Sequence, residues 1–229
     1  MKVAIMQPYF FPYIGYWQLV NYVDVFVIYD DVNFINRGFI NRNKFLQKTK
    51  SQLFTLELFG ASQNKKINEI KVGENSKKLL KSIVQNYSKA PYFKDFFPIL
   101  EEILNNNNEN LAKFLGSSLI NISKYLKIDT RLLYSSDLKN DKTLKAEDRL
   151  IEMSKILNAK EYINSIGGIK LYKKKAFSKK KIHLSFLETN EISYKQFNNE
   201  FEPNLSIIDI LMFNSVYKTK IMLNQFQLI

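Results

Sequence analysis

The sequence predicts an α/β fold, Rossmann-like, with a mostly parallel sheet, antiparallel additions and a helical middle and C-terminal part. Three observations predict it. An apolar run at residues 3–6 leads through a turn-rich loop and a helical pattern to a second apolar run at Val25–Tyr29. The apolar period becomes that of helices from Ser76, and short apolar runs bounded by breakers return between Arg131 and Leu187.

Taken in order, Val3-Ala4-Ile5-Met6 reads as a buried strand stopped at Gln7-Pro8. Ile14, Trp17, Leu19, Val20 and Val23 suit a short helix over Tyr13–Tyr22, and Val25–Tyr29 is a second buried strand closed by Asp30-Asp31. Strand, loop, helix and strand in that order imply a right-handed crossover and a parallel pair. The loop after the first strand and the acidic pair after the second then share the carboxyl edge of the sheet, where open α/β sheets bind ligands. Residues 32–58 read as antiparallel strands around Arg37-Gly38, with Leu53–Phe59 alternating as one of them.

Leu79, Leu80, Ile83, Val84 and Tyr87 form one helical face, with Asn75 or Ser76 as its cap. Ala90-Pro91 breaks that helix, Phe93–Leu104 restarts one, and Asn105–Asn108 turns the chain into Leu111–Leu126, giving a helical subregion at about 76–126. Arg131–Tyr134 suits a strand and Glu147–Leu157 a helix. Glu161–Ile163 and Lys181–Leu187 suit further strands, separated by Gly167-Gly168 and a basic run. Pro203 opens a helix at Ser206–Phe213, and another starts near Val216. No repeat is visible, and residues 1–229 read as a single α/β domain.

The chain has no cysteine, which excludes a thiol nucleophile, a disulfide and cysteine metal sites. No apolar stretch approaches the roughly 20 residues of a membrane span, and the N-terminal apolar run is too short for a signal peptide. A cytoplasmic protein without membrane insertion is expected. The formal net charge of +12 favours an anionic partner, although lysines dispersed among Asn and Ile also read as solvated faces. Nucleic acid ranks last and is not expected as a partner, because the basic runs carry no interleaved aromatic surface.

Gln7–Gln18 holds the only tryptophan and two of the five prolines. Aromatic bodies with polar tips, as at Tyr9, Tyr13 and Tyr16, suit a pocket wall that stacks on a sugar or base, with Gln7 beside them; the competing reading is plain core. Tyr13-Ile14-Gly15-Tyr16 resembles in spacing the His-x-Gly-His signature of class I nucleotidyltransferases, where Gly15 would let a base approach. Tyrosines stand at both histidine positions, which argues against adenylyl transfer. Asp30 and Asp31 are candidates for a general base, with a capped solvated turn as the alternative; two adjacent carboxylates diverge, so no metal site is expected there. Asn36, Arg37, Asn41 and Arg42 surround Gly38 and suit a phosphate and sugar hydroxyls. His183 is the sole histidine; alternation puts it opposite the apolar residues of its strand, yet it is a third candidate base. Gly168, in Ser165-Ile166-Gly167-Gly168, offers backbone N–H groups to a phosphate or thioester oxygen.

With these residues assembled, the chain resembles the WbqC-like family of bacterial proteins. The matching segments are Met6 to Tyr16, Asp24 to Phe34, Gly38 to Asn43, Gly167-Gly168 with Leu171-Tyr172, and Phe201 to Asp209. Such proteins are often encoded among genes for O-antigen and other surface polysaccharides and are commonly described as glycine transferases or acyl-transferring enzymes acting on amino sugars.

The resemblance implies transfer of a small acyl or aminoacyl group to the amine of a nucleotide-linked amino sugar. The aromatic loop would stack on sugar or base, Arg37 and Arg42 would hold the diphosphate, and Asp30, Asp31 or His183 would take the ammonium proton. Amides at Gly15 or Gly168 would stabilise the oxyanion. The cofactor is open; a thioester donor such as an acyl-coenzyme A or acyl carrier protein suits this chemistry. The alternatives are a divergent nucleotidyltransferase-like, ATP-dependent ligase and a non-catalytic nucleotide-sugar or carbohydrate-binding protein. Oligomeric state is not legible.

Overall fold

The Val3-Ala4-Ile5 run forms strand β1 (Lys2–Met6), and Pro8 follows its end because proline has no N–H to continue a ladder. In the computed structural model, which describes residues 1–197 and 200–229, helix α1 (Ile14–Tyr22) leads into β2 (Val25–Ile28). β1 and β2 pair in parallel with Val3 opposite Val25, as the element order requires.

The next strands depart from the expected hairpin. β3 (Arg42–Gln47) and β4 (Lys50–Thr55) are antiparallel about Lys48-Thr49, not about Arg37-Gly38. Arg37 and Lys48 both take positive φ, but only Lys48 lies between strands whose backbones continue the ladder. The alternating run Leu53–Phe59 is split between β4 and β5 (Leu58–Phe59), since the Leu56 N–H donates to Asn41 O at 2.7 Å instead. β5 pairs with β6 (Lys71–Val72).

Helices α2 (Ser76–Tyr87), α3 (Phe93–Leu104) and α4 (Leu111–Tyr125) follow the predicted periods. Asn110 caps α4 by accepting from Lys113 N at 3.1 Å. Asn75 does not cap α2: its amide bonds to Glu57 N and Thr55 O, tying the helix start to β4. Then come β7 (Arg131–Tyr134), α5 (Ala146–Ile156), β8 (Glu161–Ser165), α6 (Lys174–Ser178), β9 (His183–Thr189), α7 (Ile207–Phe213), α8 (Val216–Met222) and β10 (Phe226–Leu228). The short β6, α6 and β10 are not expected from the sequence, being too brief to show a period.

The main sheet has the order β10-β9-β8-β1-β2-β7. Its five strands from β9 to the β7 edge are parallel, and the other edge strand, β10, runs antiparallel to β9. The chain steps outward from β1 through β2 to β7, then returns to the other flank of β1 for β8 and β9. That reversal separates the connections leaving β1 and β8, so a crevice opens at their carboxyl ends. Alternation divides the sheet between two cores. Val3, Ile5, Val25, Val27, Tyr162 and Leu184 face α5 and α6, where Leu150, Met153 and Phe177 meet them. Ala4, Phe26, Ile28, Ile163 and Leu187 face the larger core, which continues without a break through α1, the β3–β4 hairpin, α2–α4 and α7. Among the described residues no helix is long and apolar enough to cross a membrane.

Asp209 of α7 ties this larger core together. It is buried and accepts from Tyr87 Oη, Tyr194 Oη and Gln196 Nε2, each at 2.7 Å, while Tyr87 Oη accepts from Leu46 N. Burial pushes its carboxyl above the ordinary value in spite of these three donors, since no cation is among them.

Candidate functional site

The N-terminal aromatic loop is largely core. Phe10, Phe11, Tyr16 and Trp17 are buried, and burying so irregular a backbone requires partners for its carbonyls. Asn43 supplies two of them, its Nδ2 donating to Phe10 O at 3.1 Å and Phe11 O at 2.9 Å. Trp17 Nε1 and Ile207 N both donate to Pro12 O, and Phe10 N donates to Phe39 O. Tyr16 closes the set by donating to Gln7 O at 3.0 Å. Gly15 faces no cavity: a Cβ there would stand 2.5 Å from Thr189 Oγ1 and 2.6 Å from the Tyr13 ring.

What the loop leaves open is the crevice between β1 and β8. A cleft of about 410 Å³ lies there, walled by Gln7, Tyr9, Tyr29, Asn164, Ser165 and Tyr172 and floored by Gly167-Gly168. Gly168 is required by close packing, since a Cβ would meet the Asn164 amide at 3.0 Å and the Tyr172 ring at 3.2 Å. Asn164 is itself fixed, donating to Tyr162 Oη at 3.0 Å and accepting from Ser165 N at 2.7 Å. Burial raises the phenols of Tyr9, Tyr29 and Tyr172 above their ordinary pKa, so near neutral pH all three remain protonated donors. Among the described residues no carboxylate or imidazole lines the cleft.

Asp30 and Asp31 lie behind one wall rather than in it, both buried. Asp30 accepts from Ser136 N, Ser136 Oγ and Asn68 Nδ2. Ser135 Oγ stands between the two acids, 3.0 Å from Asp30 Oδ1 and 2.6 Å from Asp31 Oδ1. Asp31 Oδ2 pairs with the buried Arg149 guanidinium at 2.6 Å, with Lys142 at 3.8 Å. Burial alone would raise the Asp31 carboxyl, but the bonds from Ser135 and Arg149 and the charges of Arg149 and Lys142 outweigh it and hold the group below its ordinary value. Arg149 lies 5.1 Å from the Tyr29 ring centroid. A chain of contacts thus runs from the acid pair through Arg149 to a phenol on the cleft wall.

The remaining predicted residues lie elsewhere. Asn36, Arg37, Asn41 and Arg42 line a separate depression of about 410 Å³, and Arg42 turns its guanidinium onto the carbonyls of Gly38 and Arg37, so it stiffens its own turn. Tyr13 borders a third cavity with Thr189, Tyr194 and Leu205. A concavity of about 800 Å³, larger than these three, is lined instead by Phe59, Lys71 and the Asn105–Asn108 turn. His183 opens β9 opposite Glu161, at the amino edge of the sheet; Asp30 follows the carboxyl end of β2, so the placement removes His183 from any shared site with the acids. Among the described residues no group of three or more acids or histidines is placed to hold a metal ion.

Sequence reasoning brought Gln7, Tyr9 and Gly168 to the cleft and missed Tyr29, Asn164 and Arg149. Tyr29 read only as a strand end, although the residue closing a strand at the carboxyl edge is well placed to meet a ligand. Asn164 stood just past the expected strand Glu161–Ile163, and β8 in fact continues to Ser165. Arg149, inside Glu147-Asp148-Arg149, carries the pattern of a solvated helix face, and no local signal marks it as buried.

No solved structure matches the chain. An uncharacterized protein of Mycobacterium tuberculosis, Rv1507c, is 30% identical over 217 residues, covering 92% of each chain. The model of the WbqC-like protein family matches residues 7–221, from the first cleft residue after β1 to within α8. With the loop that leaves β1, the whole of β8 and the buried Asp31–Arg149 pair inside that match, the chain belongs to the WbqC-like protein family.

Proposed function

We propose that this chain transfers a small acyl or aminoacyl group from a thioester to the amine of a nucleotide-linked amino sugar, in the cytoplasm, for surface-polysaccharide synthesis. The observation that supports the reading is the cleft where the strand order reverses, whose walls offer three protonated phenols, an amide pair and a hydroxyl but, among the described residues, no ionised group. Such walls suit a ring rich in hydroxyls: phenol faces cover its apolar side, and Gln7, Asn164 and Ser165 bond its edge.

In the reaction the amine lone pair attacks the thioester carbonyl, the C–N bond forms, and the C–S bond breaks as the tetrahedral intermediate collapses. The ammonium proton passes through water to the departing thiolate, leaving amide and thiol. The phenols of Tyr9, Tyr29 or Tyr172, protonated near neutral pH, donate to the developing oxyanion. Asp31 acts as a positioning residue, holding Arg149 against Tyr29, and not as the base.

The test is calorimetric titration of a UDP-linked amino sugar into wild type and Tyr172→Leu. Loss of a stacking and bonding phenol should weaken binding about 10-fold or more. An affinity within about twofold of wild type removes the sugar from this cleft. Because no carboxylate or imidazole among the described residues lines the cleft, a second reading is favoured by the same walls: a nucleotide-sugar-binding protein without turnover. Binding with no amide product on addition of acetyl or glycyl thioesters selects it.

A further inference from the structure

The cleft mouth carries an exposed apolar rim. Ile35 and Leu171, both at the cleft, are 50% and 69% exposed, and Phe39, 52% exposed, packs its ring 6.2 Å from that of Tyr9. Ile169, 43% exposed, extends the rim in the 3-10 turn that follows β8. Large apolar side chains gathered at one water-facing spot mark a contact surface rather than chance exposure. Both contributing loops are held in place. Phe10 N donates to Phe39 O, Gly38 N to Ile35 O, and Leu171 N and Tyr172 N both donate to Gly168 O. The rim is therefore preformed, which lowers the ordering cost of docking.

Around it stand exposed cations. Arg37 follows Ile35 by two residues, and Lys170, Lys173 and Lys174 flank Leu171-Tyr172. Among the described residues none of these four side chains is ion-paired, since the ion pairs are those of Lys71, Lys142 and Arg149. An apolar rim set among cations without ion pairs, at the mouth of a cleft of about 410 Å³, is complementary to an acidic protein that presents an apolar patch and a slender arm.

We propose that the mouth docks a small acidic carrier protein that delivers the acyl group on a phosphopantetheine thioester, an inference that rests on the acyl-transfer reading above. The arm enters the cleft between Tyr9 and Tyr172 while the rim covers the carrier's own apolar patch. Coenzyme A would leave the rim in water, because its nucleotide end is polar. A bilayer would cover the rim but leave the cleft unfilled. In the transfer, the carrier's thioester C–S bond breaks as the sugar nitrogen–carbonyl bond forms, the ammonium proton ends on the arm's sulfur, and the carrier departs with a free thiol.

The test uses the full chain with holo and acetylated acyl carrier protein of the fatty-acid type as probes, by calorimetry and biolayer interferometry, beside coenzyme A and phosphatidylglycerol vesicles. Saturable carrier binding that weakens as salt rises is expected. Charge reversal in the Lys170→Glu, Lys173→Glu double variant should weaken it about 10-fold or more, and Ile169→Asp should do likewise, both with thermal midpoints near wild type. Carrier binding that is absent, or that changes less than about twofold in both variants, overturns the proposal. Vesicle binding that both variants abolish, in place of carrier binding, also overturns it and assigns the mouth to a membrane. If the UDP-linked amino sugar binds and the carrier does not, docking fails and the acyl-transfer reading stands. If the carrier docks but no amide forms with any amino sugar offered, that reading fails and docking stands.

Discussion

Replacing Arg149 with methionine tests whether the acid pair is a structural support for the cleft wall. Methionine keeps the buried stem and deletes the guanidinium, leaving the Asp31 carboxylate, with 3% of its side chain exposed, without its 2.6 Å partner. Removing one member of a buried pair typically costs about 3–5 kcal/mol. Lys142, at 3.8 Å and half exposed, can approach Asp31 and recover part of this, so about 3 kcal/mol is expected. For a chain of this size that lowers the thermal midpoint by about 6–12 °C. Urea unfolding followed by fluorescence measures it directly, because Trp17 is the only tryptophan and is fully buried. The acid limb gives a second reading. Asp31 is held below its ordinary pKa in the fold, so its contribution is complete above the unfolded carboxyl value and is lost as pH falls through the lowered one. Arg149→Met should therefore flatten the stability loss below about pH 4 as well as lowering the plateau. A stability change under about 1 kcal/mol, with the acid limb unaltered, would refute the argument that Arg149 carries this pair.

Two further outcomes follow from the buried polar groups. Asn43→Ala strips the partners from Phe10 O and Phe11 O and should cost about 2–4 kcal/mol in urea unfolding, and a loss below about 1 would mean that other groups satisfy those carbonyls. Asp209 titrates in the sense opposite to Asp31: its folded pKa is raised, so its contribution is fully present below the unfolded carboxyl value and is lost as pH rises through the raised one. Wild type minus Asp209→Asn, compared by urea midpoints across that window, should therefore become less favourable to wild type as pH rises, and a flat difference contradicts the burial argument.

How much of this was legible in the sequence depended on the length of each pattern. β1, β2 and α2–α4 were readable because their apolar periods run for a full strand or several turns, and the parallel pairing followed from connectivity alone. The β3–β4 turn was misplaced because Arg37-Gly38 has turn chemistry without flanking ladders, whereas Lys48-Thr49 has ladders without a glycine. At the site, the carboxyl-edge argument put the aromatic loop near a crevice but could not divide its residues between core and wall. That division depends on Asn43, a hairpin residue whose amide lets Phe10 and Phe11 turn inward and leaves Tyr9 at the cleft. The expected meeting of arginines and acids did not follow either. Arg42 bonds its own turn, and the cation that meets Asp31 arrives from α5, 118 residues away.

That distance along the chain carries a consequence for biosynthesis. The motif after β1 is made first, yet its cleft has no second wall until β8 and Tyr172 exist, and Tyr29 has no backing until Arg149 is joined to Asp31. During translation, at about 5–20 residues per second, the nascent N-terminal half exposes an incomplete sheet edge at β1 for several seconds before β8 can pair with it. Until β8 pairs with it, the Lys2–Met6 edge offers unpaired backbone N–H and C=O groups to other strands. Fragments that end before β8 should be prone to aggregation while lacking the cleft, so the cleft and the protection of the central strand are completed by the same stretch of chain.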